Sequence, residues 1–536
     1  MSRVLHEILE EAAAAVPDKE AIFHKSSSMS YAAVCLESRR LDNTLRAGGI
    51  AKGDRIAVYM EKCCEKVVSI FGISMAGAVF VPVNKIATSP QAAHVIRDSG
   101  ARVLITTYSR LPKIAEVAKD LPDLEWILAL GPGLPEADIG PIRILDWRET
   151  LAGHPVPSAN AARIVETDLA AILYTSGSTG KPKGVVLSHL NVMAGARSVS
   201  EFLKITAEDR LLSILTFGFD YGLNQLTTAF LKRAQIVLLE FLFQKDIILA
   251  IPKYRITGLA AVAATWNQLA AEDWKGKDNA DIDVSSLRYI TNSGGAIAEA
   301  NVRSLRRKLP NAEVYLMYGL TEAFRSTYLD PSLVDERPTS IGKAVPGEEI
   351  LVLDDQNRPV KPGEIGELVH RGVFVAQGYW NAPDLTALRY RRNPMQPPEV
   401  PIPEMVVYSG DRVRIDAQGF MYFVGRNDEM IKCAGNRISP TEVEEVLYAT
   451  GWVHSAAAFG IPHEVYGQAV LLAVAPVEGR NLGEAEILAY CKKTMPAYMV
   501  PQKIEVWPDF PRNVNGKLDR SLIKKQIFEK LGIAGK

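Results

Sequence analysis

Short apolar runs alternate with helical stretches through the first part of the chain, and this alternation narrows the possible folds more than any other feature. Arg55–Tyr59, 79–83 and 102–106 are each long enough for one strand, and segments of helical pattern separate them. Strands that return after a helix form βαβ units, so the pattern predicts a mostly parallel sheet. A helix should precede the first run, because Leu5, Ile8, Leu9 and Ala12 recur at helical spacing. The longest uncharged stretch, 67–84, contains Gly72, Gly77 and Pro82. Its length would allow a membrane span, but those residues favour a buried helix followed by a buried strand.

With 536 residues, 47% of them hydrophobic and 23% charged, the chain can bury several cores. That excludes a disordered, collagen-like or disulfide-stapled protein. Lys and Arg number 61 against 62 Asp and Glu, so there is no overall field for nucleic acid or an anionic membrane. The five cysteines are odd in number and match no metal knuckle or CxxC pair, which suits a reduced, cytoplasmic setting. Glu7, Glu10 and Glu11 interrupt the apolar centre that a signal peptide needs.

Further along, 153–166 is rich in Pro, Ala and Ser and reads as a connector. A second α/β rhythm should run from Ala170 to about Asp330. From Ile341 to Phe423 the runs shorten and turns crowd together, as in a β-rich subdomain. Within it, 394–403 is proline-rich and should be extended and exposed. The last hundred or so residues return to α/β texture.

One segment speaks of chemistry. Tyr174-Thr175-Ser176-Gly177-Ser178-Thr179-Gly180-Lys181-Pro182-Lys183-Gly184 lies between two apolar strand candidates, 170–174 and 185–187. Glycines let backbone N–H groups turn toward an anion, hydroxyls add donors, and lysines add charge. It is not a Walker A loop, since Pro182 follows Gly180-Lys181 and Thr175 occupies the first glycine position. The same composition also fits a flexible surface loop, although the paired lysines and flanking strands count against that.

The segment resembles the phosphate loop of the AMP-forming adenylating superfamily: acyl-CoA synthetases, carrier-protein adenylation domains and firefly-type luciferases. Further motifs stand in that family's order: Asn292-Ser293-Gly294-Gly295-Ala296, Tyr318-Gly319-Leu320-Thr321-Glu322, Tyr408-Ser409-Gly410-Asp411, Gly425-Arg426-Asn427-Asp428, Gly435-Asn436-Arg437-Ile438, and Pro511 to Lys517. The likeness covers Leu5 to about Leu522. Within the superfamily it is nearest to the acyl-CoA ligase branch associated with exosortase systems, on 219–226 and 318–328.

The resemblance implies an α/β fold: a large N-terminal domain (1–425) of two α/β subdomains plus a β-rich, barrel-like subdomain, and a small, mobile C-terminal α+β domain (427–536), hinged near Asp428. It implies ATP, Mg²⁺ and coenzyme A. Nucleotide would be bound by Thr175, Ser176, Gly177, Ser178, Thr179, Gly180, Lys181 and Lys183, then Gly294, Gly295, Ala296, Met317, Tyr318, Gly319, Leu320 and Thr321, and finally Asp411, Phe423 and Arg426. Glu322 would hold the metal, and Asp411 would take the ribose hydroxyls. Lys517, Glu322, Thr175 and Lys432 would be catalytic. Asp428, Lys432 and Gly435 would serve the hinge and thiol tunnel. Phe219, Asp220, Leu223, Trp266, Ser293, Gly294 and Gly319 would line the acyl pocket.

The implied reaction is AMP-forming ligation of a carboxylic acid to CoA, with a carrier-protein phosphopantetheine as the alternative acceptor. No carrier segment is legible after Lys517. Neither nucleic acid nor a membrane span enters. Asp220 has two readings: it binds a substrate ammonium, or it pairs with a nearby Arg or Lys or caps a helix. A catalytically dead relative is the third hypothesis, against which Lys183, Glu322, Asp411, Arg426 and Lys517 all stand.

Overall fold

The computed structural model describes residues 2–131, 139–153, 163–175, 182–276, 279–427, 429–433, 436–463, 466–513 and 516–533. Ser176, Gly177, Ser178, Thr179, Gly180, Lys181, Asp428 and Gly435 therefore lie outside the described residues, as do the side chains of 436 and 437.

Three sheets organise the described residues. The first runs in the order Arg143–Asp146, Trp126–Leu130, Val103–Thr107, Arg55–Tyr59, Val79–Pro82, Leu169–Thr175, Lys183–Ser188, parallel except for the last, antiparallel pair. Its central strands are buried on both faces, which is why they read as unbroken apolar runs. The uncharged stretch divides into the buried helix Cys64–Met75 and the buried strand Val79–Pro82. That helix packs closely on Tyr31–Ala47: a Cβ at Gly72 would lie 2.9 Å from the Ser38 carbonyl oxygen.

The second sheet begins parallel, with Glu20–His24, Gln235–Leu238, Arg210–Ser213, Gly258–Val262, Tyr289–Ser293 and Glu313–Tyr318 side by side. It continues without a break through Thr327–Tyr328 and Ser340–Ala344 into antiparallel strands, among them Met405–Ile415 and Met421–Arg426. The β-rich region predicted for 341–423 is this continuation.

The expected boundary at Ala170 is corrected. Leu169–Thr175 and Lys183–Ser188 complete the first sheet, whereas Glu20–His24 crosses to the second. The two α/β halves exchange segments because parallel strands choose partners across long separations, which local patterns do not encode.

The third sheet holds Asn436–Ile438, Ile431–Cys433, Gly467–Pro476, Val453–His463 and Lys503–Val506. With the helices Pro440–Tyr448, Glu484–Thr494 and Arg520–Lys530 it makes a small C-terminal α+β domain. Among the described residues no helix is long and apolar enough to cross a membrane.

Candidate active site

Parallel strands of the second sheet all point their carboxyl ends the same way, and in open α/β sheets ligands bind there. Gly258–Val262, Tyr289–Ser293 and Glu313–Tyr318 end together, in register at Val262 with Ser293 and at Asn292 with Leu316. Gly294, Gly295 and Ala296 thus come to lie beside Gly319, Leu320 and Thr321. The Asn292 amide donates to the Gly295 carbonyl (3.0 Å) and holds the turn.

Gly294 has φ +81°, and a Cβ there would lie 2.6 Å from Cε of Lys517. Only glycine allows both the backbone and that approach. Lys517 arrives from the small domain on a tight turn. The Asn513 N–H donates to the Lys517 carbonyl (2.7 Å), and the Lys517 N–H donates to Asn513 Oδ1 (3.1 Å). Its Nζ stands 5.0 Å from the centre of the Phe219 ring. Burial pulls the ammonium below lysine's ordinary pKa, partly opposed by the charges of Asp220, Asp411 and Glu322.

Glu322 sits in the short 3-10 turn Thr321–Ala323. Tyr379 donates its hydroxyl to Glu322 Oε1 (2.7 Å), and Lys183 Nζ lies 5.7 Å from the centre of that tyrosine ring. A short segment stitches the two sheets together at this point. Ala376 N–H donates to the Glu322 carbonyl (2.9 Å), Gln377 N–H to Val186 (2.9 Å) and Trp380 N–H to Gly184 (2.7 Å). Thr175 and Lys183 are cross-strand partners at the ends of the two strands that flank 176–181.

Glu322 suits Mg²⁺. The small, strongly hydrated ion keeps several waters and takes one or two carboxylates plus substrate phosphates, so it needs no protein cage. Among the described residues no group of three or more His, Cys, Asp or Glu could hold a metal ion by itself.

Asp411 accepts the Tyr318 hydroxyl at Oδ2 (2.5 Å), while its buried Oδ1 has no hydrogen-bond partner among the described residues and lies 3.7 Å from Nε of Arg426. Burial raises the carboxyl's pKa, chiefly against Arg426. An acceptor poised in this way suits a vicinal diol. Tyr318 is parallel to His370 (7° between planes, 6.2 Å between centres) and lies near Phe423. His370 and Glu348 approach to 3.5 Å behind it; burial pushes the carboxyl up and the imidazole down.

Asp220 begins the helix Asp220–Leu231 and is spoken for. Thr321 donates to Oδ1 (3.0 Å) and Arg325 Nη1 to Oδ2 (3.4 Å), all three buried. Of the two readings of Asp220, this is the pairing with arginine. Phe219 and Leu223 are buried beside it in the same core as Tyr221 and Met317. A cavity of about 20 Å³, room for one water, is lined by Tyr221, Asn224, Gln225, Thr291 and Met317 among others.

One residue departs from the sequence expectation. Trp266 is fully buried among Leu259, Ile290 and Leu316, in the core on the other face of the sheet. It reaches the pocket only through its indole N–H, which donates to the Thr291 carbonyl (2.9 Å). Neighbouring strand residues face opposite ways, so Ile290 and Thr291 belong to different sides. Lys432 is exposed on Ile431–Cys433. Sequence reasoning missed Tyr379 and Arg325. For Arg325, the charge embedded in Ala323-Phe324-Arg325-Ser326 was a usable signal; for Tyr379 there was none, because its place depends on a bridge to Val185.

Residues 9–380 match the AMP-binding enzyme family, and 442–517 its C-terminal domain. The chain belongs to the AMP-binding enzyme family. It is 29% identical to feruloyl-CoA synthase of Amycolatopsis sp, over 95% of this chain and 96% of that one. It is 27% identical to tyrocidine synthase 3 of Brevibacillus parabrevis over 98% of its own length, and spans only 8% of that much longer protein. Among solved structures, the anthranilate CoA ligase AuaEII in complex with anthranoyl-AMP superposes with a TM-score of 0.88 at 25% identity, covering 99% of both chains.

Proposed function

We propose that this member of the family is an AMP-forming acid–thiol ligase that uses ATP and Mg²⁺ and passes its acyl group to coenzyme A. One observation carries the reading: the small domain delivers Lys517 into the cleft against Gly294 and Phe219, on the carboxyl-end edge that also bears Thr321 and Glu322. Likeness to feruloyl-CoA synthase and to an anthranilate CoA ligase with its acyl-adenylate supports it.

A carboxylate oxygen of the acid attacks the α-phosphorus, the bond to the bridging β-phosphate oxygen breaks, and pyrophosphate leaves. The nucleophile is already ionised, so no general base is required. The obstacle is the repulsion of two anions, and alignment with charge screening overcomes it. Lys517 would bridge the carboxylate and α-phosphate. Lys183 and the loop 175–183 would hold the outer phosphates, Asp411 the ribose, and Tyr318 the base. Mg²⁺, held by Glu322, would screen the triphosphate. The thiol then attacks the acyl carbon and AMP departs with the bonding electrons.

For that second step the domain of residues 427–536 would turn about Asp428, withdrawing Lys517 and bringing Lys432 and Gly435 to the acyl group. A hinge needs few residues to absorb such a change. Asp428→Pro should therefore depress thioester formation much more than pyrophosphate exchange, and the opposite ranking would refute the hinge. Free cysteines throughout accord with a cytoplasmic protein.

Likeness along nearly the whole chain to a segment of tyrocidine synthase 3 favours a second acceptor, the phosphopantetheine thiol of a carrier protein. Pyrophosphate release and hydroxamate trapping with fatty, aryl and amino acids, each run with CoA and with carrier protein, decide between them. ATP binding without pyrophosphate release from any acid would overturn the ligase reading.

A further inference from the structure

The acyl pocket also bears on which acid enters, given the ligase reading. After Thr321–Ala323, Phe324 takes φ +49° and ψ −51°, a conformation that residues with side chains rarely adopt. The Arg325 N–H closes a three-residue turn onto the Ala323 carbonyl (2.5 Å), a strained geometry. The Phe324 ring occupies the space opened by Gly195, where a Cβ would lie 2.3 Å from the ring. Strain of this kind persists where packing imposes it and gathers at functional sites. Here it accompanies an inward-turned Arg325: the residue is 2% exposed, its guanidinium 4.7 Å from the centre of the Tyr221 ring and its Nη1 toward Asp220.

The opposite edge of that guanidinium is buried, and neither Nε nor Nη2 has a partner among the described residues. These two N–H groups point the same way and form a fork that fits a carboxylate or a carbonyl oxygen. Buried donors are ordinarily satisfied. Along the adjoining helix, Asn224 Nδ2 and Gln225 Oε1 are also buried and without a partner among the described residues, and both side chains line the small cavity beside Tyr221. Asp220 already accepts from Thr321 and Arg325 and has less to offer an ammonium.

We propose that the acid carries a second oxygen acceptor, a carbonyl or carboxylate, toward its far end, and that the Nε and Nη2 fork of Arg325 reads it. A plain alkyl or aryl acid would leave both buried donors unpaired, so discrimination comes from the unpaired group as much as from the bond gained.

The test uses the full chain with ATP and Mg²⁺ and follows pyrophosphate release. Hexanoate is compared with 5-oxohexanoate, adipate and 6-aminohexanoate, and benzoate with 4-formylbenzoate, terephthalate and 4-aminobenzoate. In at least one series the oxo acid or the diacid should exceed the plain acid in kcat/KM by about tenfold to a hundredfold. The two arms separate carbonyl from carboxylate. Arg325→Lys keeps a cation facing Asp220 but loses the planar fork, and should bring that ratio close to one. Because the readout is a ratio within one preparation, partial misfolding does not imitate it. Preference for the plain acids overturns this inference and leaves the ligase reading standing. Preference for the amino acids also overturns it and returns Asp220 to the role of ammonium reader. Silence in every arm overturns both.

Discussion

Replacing Lys517 with alanine lowers adenylate formation by about 10²–10³-fold, the usual cost of losing one group aimed at developing charge. Thioester formation from a supplied acyl-adenylate should stay near the parent rate, because on the proposed mechanism Lys517 has no part once the α-phosphate has been attacked. The two half-reactions are measured separately, by pyrophosphate exchange and by thioester yield. Equal loss in both would remove Lys517 from the first step. The geometry also dictates a pH dependence. Burial lowers the ammonium's pKa in the free protein, so the charge is present at lower pH and is lost as pH rises through that lowered value. The alkaline limb of kcat/KM for ATP should then fall below lysine's ordinary range and vanish in Lys517→Ala.

Asp220→Ala should be the most destabilising single change in the pocket. Side-chain exposure is 2% for Arg325 and 3% for Asp220, so removing the carboxylate strands a guanidinium in the core. Breaking a buried pair from one side costs about 3–5 kcal/mol. Urea unfolding of the variant should show a loss of that order. The double change Asp220→Ala with Arg325→Met should recover most of it, since replacing both partners by apolar groups is often neutral. A single variant within about 1 kcal/mol of the parent would show that the pair is not coupled as its 3.4 Å contact indicates. Both experiments separate stability from chemistry: Lys517→Ala should unfold like the parent, whereas Asp220→Ala should not.

Much of the fold could be read directly. The buried helix and strand within 67–84, the two strands that flank 176–181, and the β-rich texture after Ile341 are local patterns of apolar spacing and turn residues, and the structure bears each one out. Lys517, Glu322, Asp411 and Gly294 could be singled out as candidates for a different reason. Each needs particular local chemistry, and that chemistry leaves a motif.

Pairings across distance were not legible. Nothing near Glu20–His24 says that it crosses to the sheet of Gln235–Leu238, and nothing near Tyr379 says that it will donate to Glu322, 57 residues away. Trp266 was misplaced because an aromatic in the right stretch can face either side of a sheet, and only its packing among Leu259 and Ile290 decides which. Sequence alone determined the kinds of element and the reactive groups, since periodicity and turn chemistry act over a few residues. Tertiary structure alone decided that Asp220 meets Arg325, 105 positions away, and which edge of that buried guanidinium has no partner among the described residues, because sheet order and close packing settle partners that no short stretch of chain can specify.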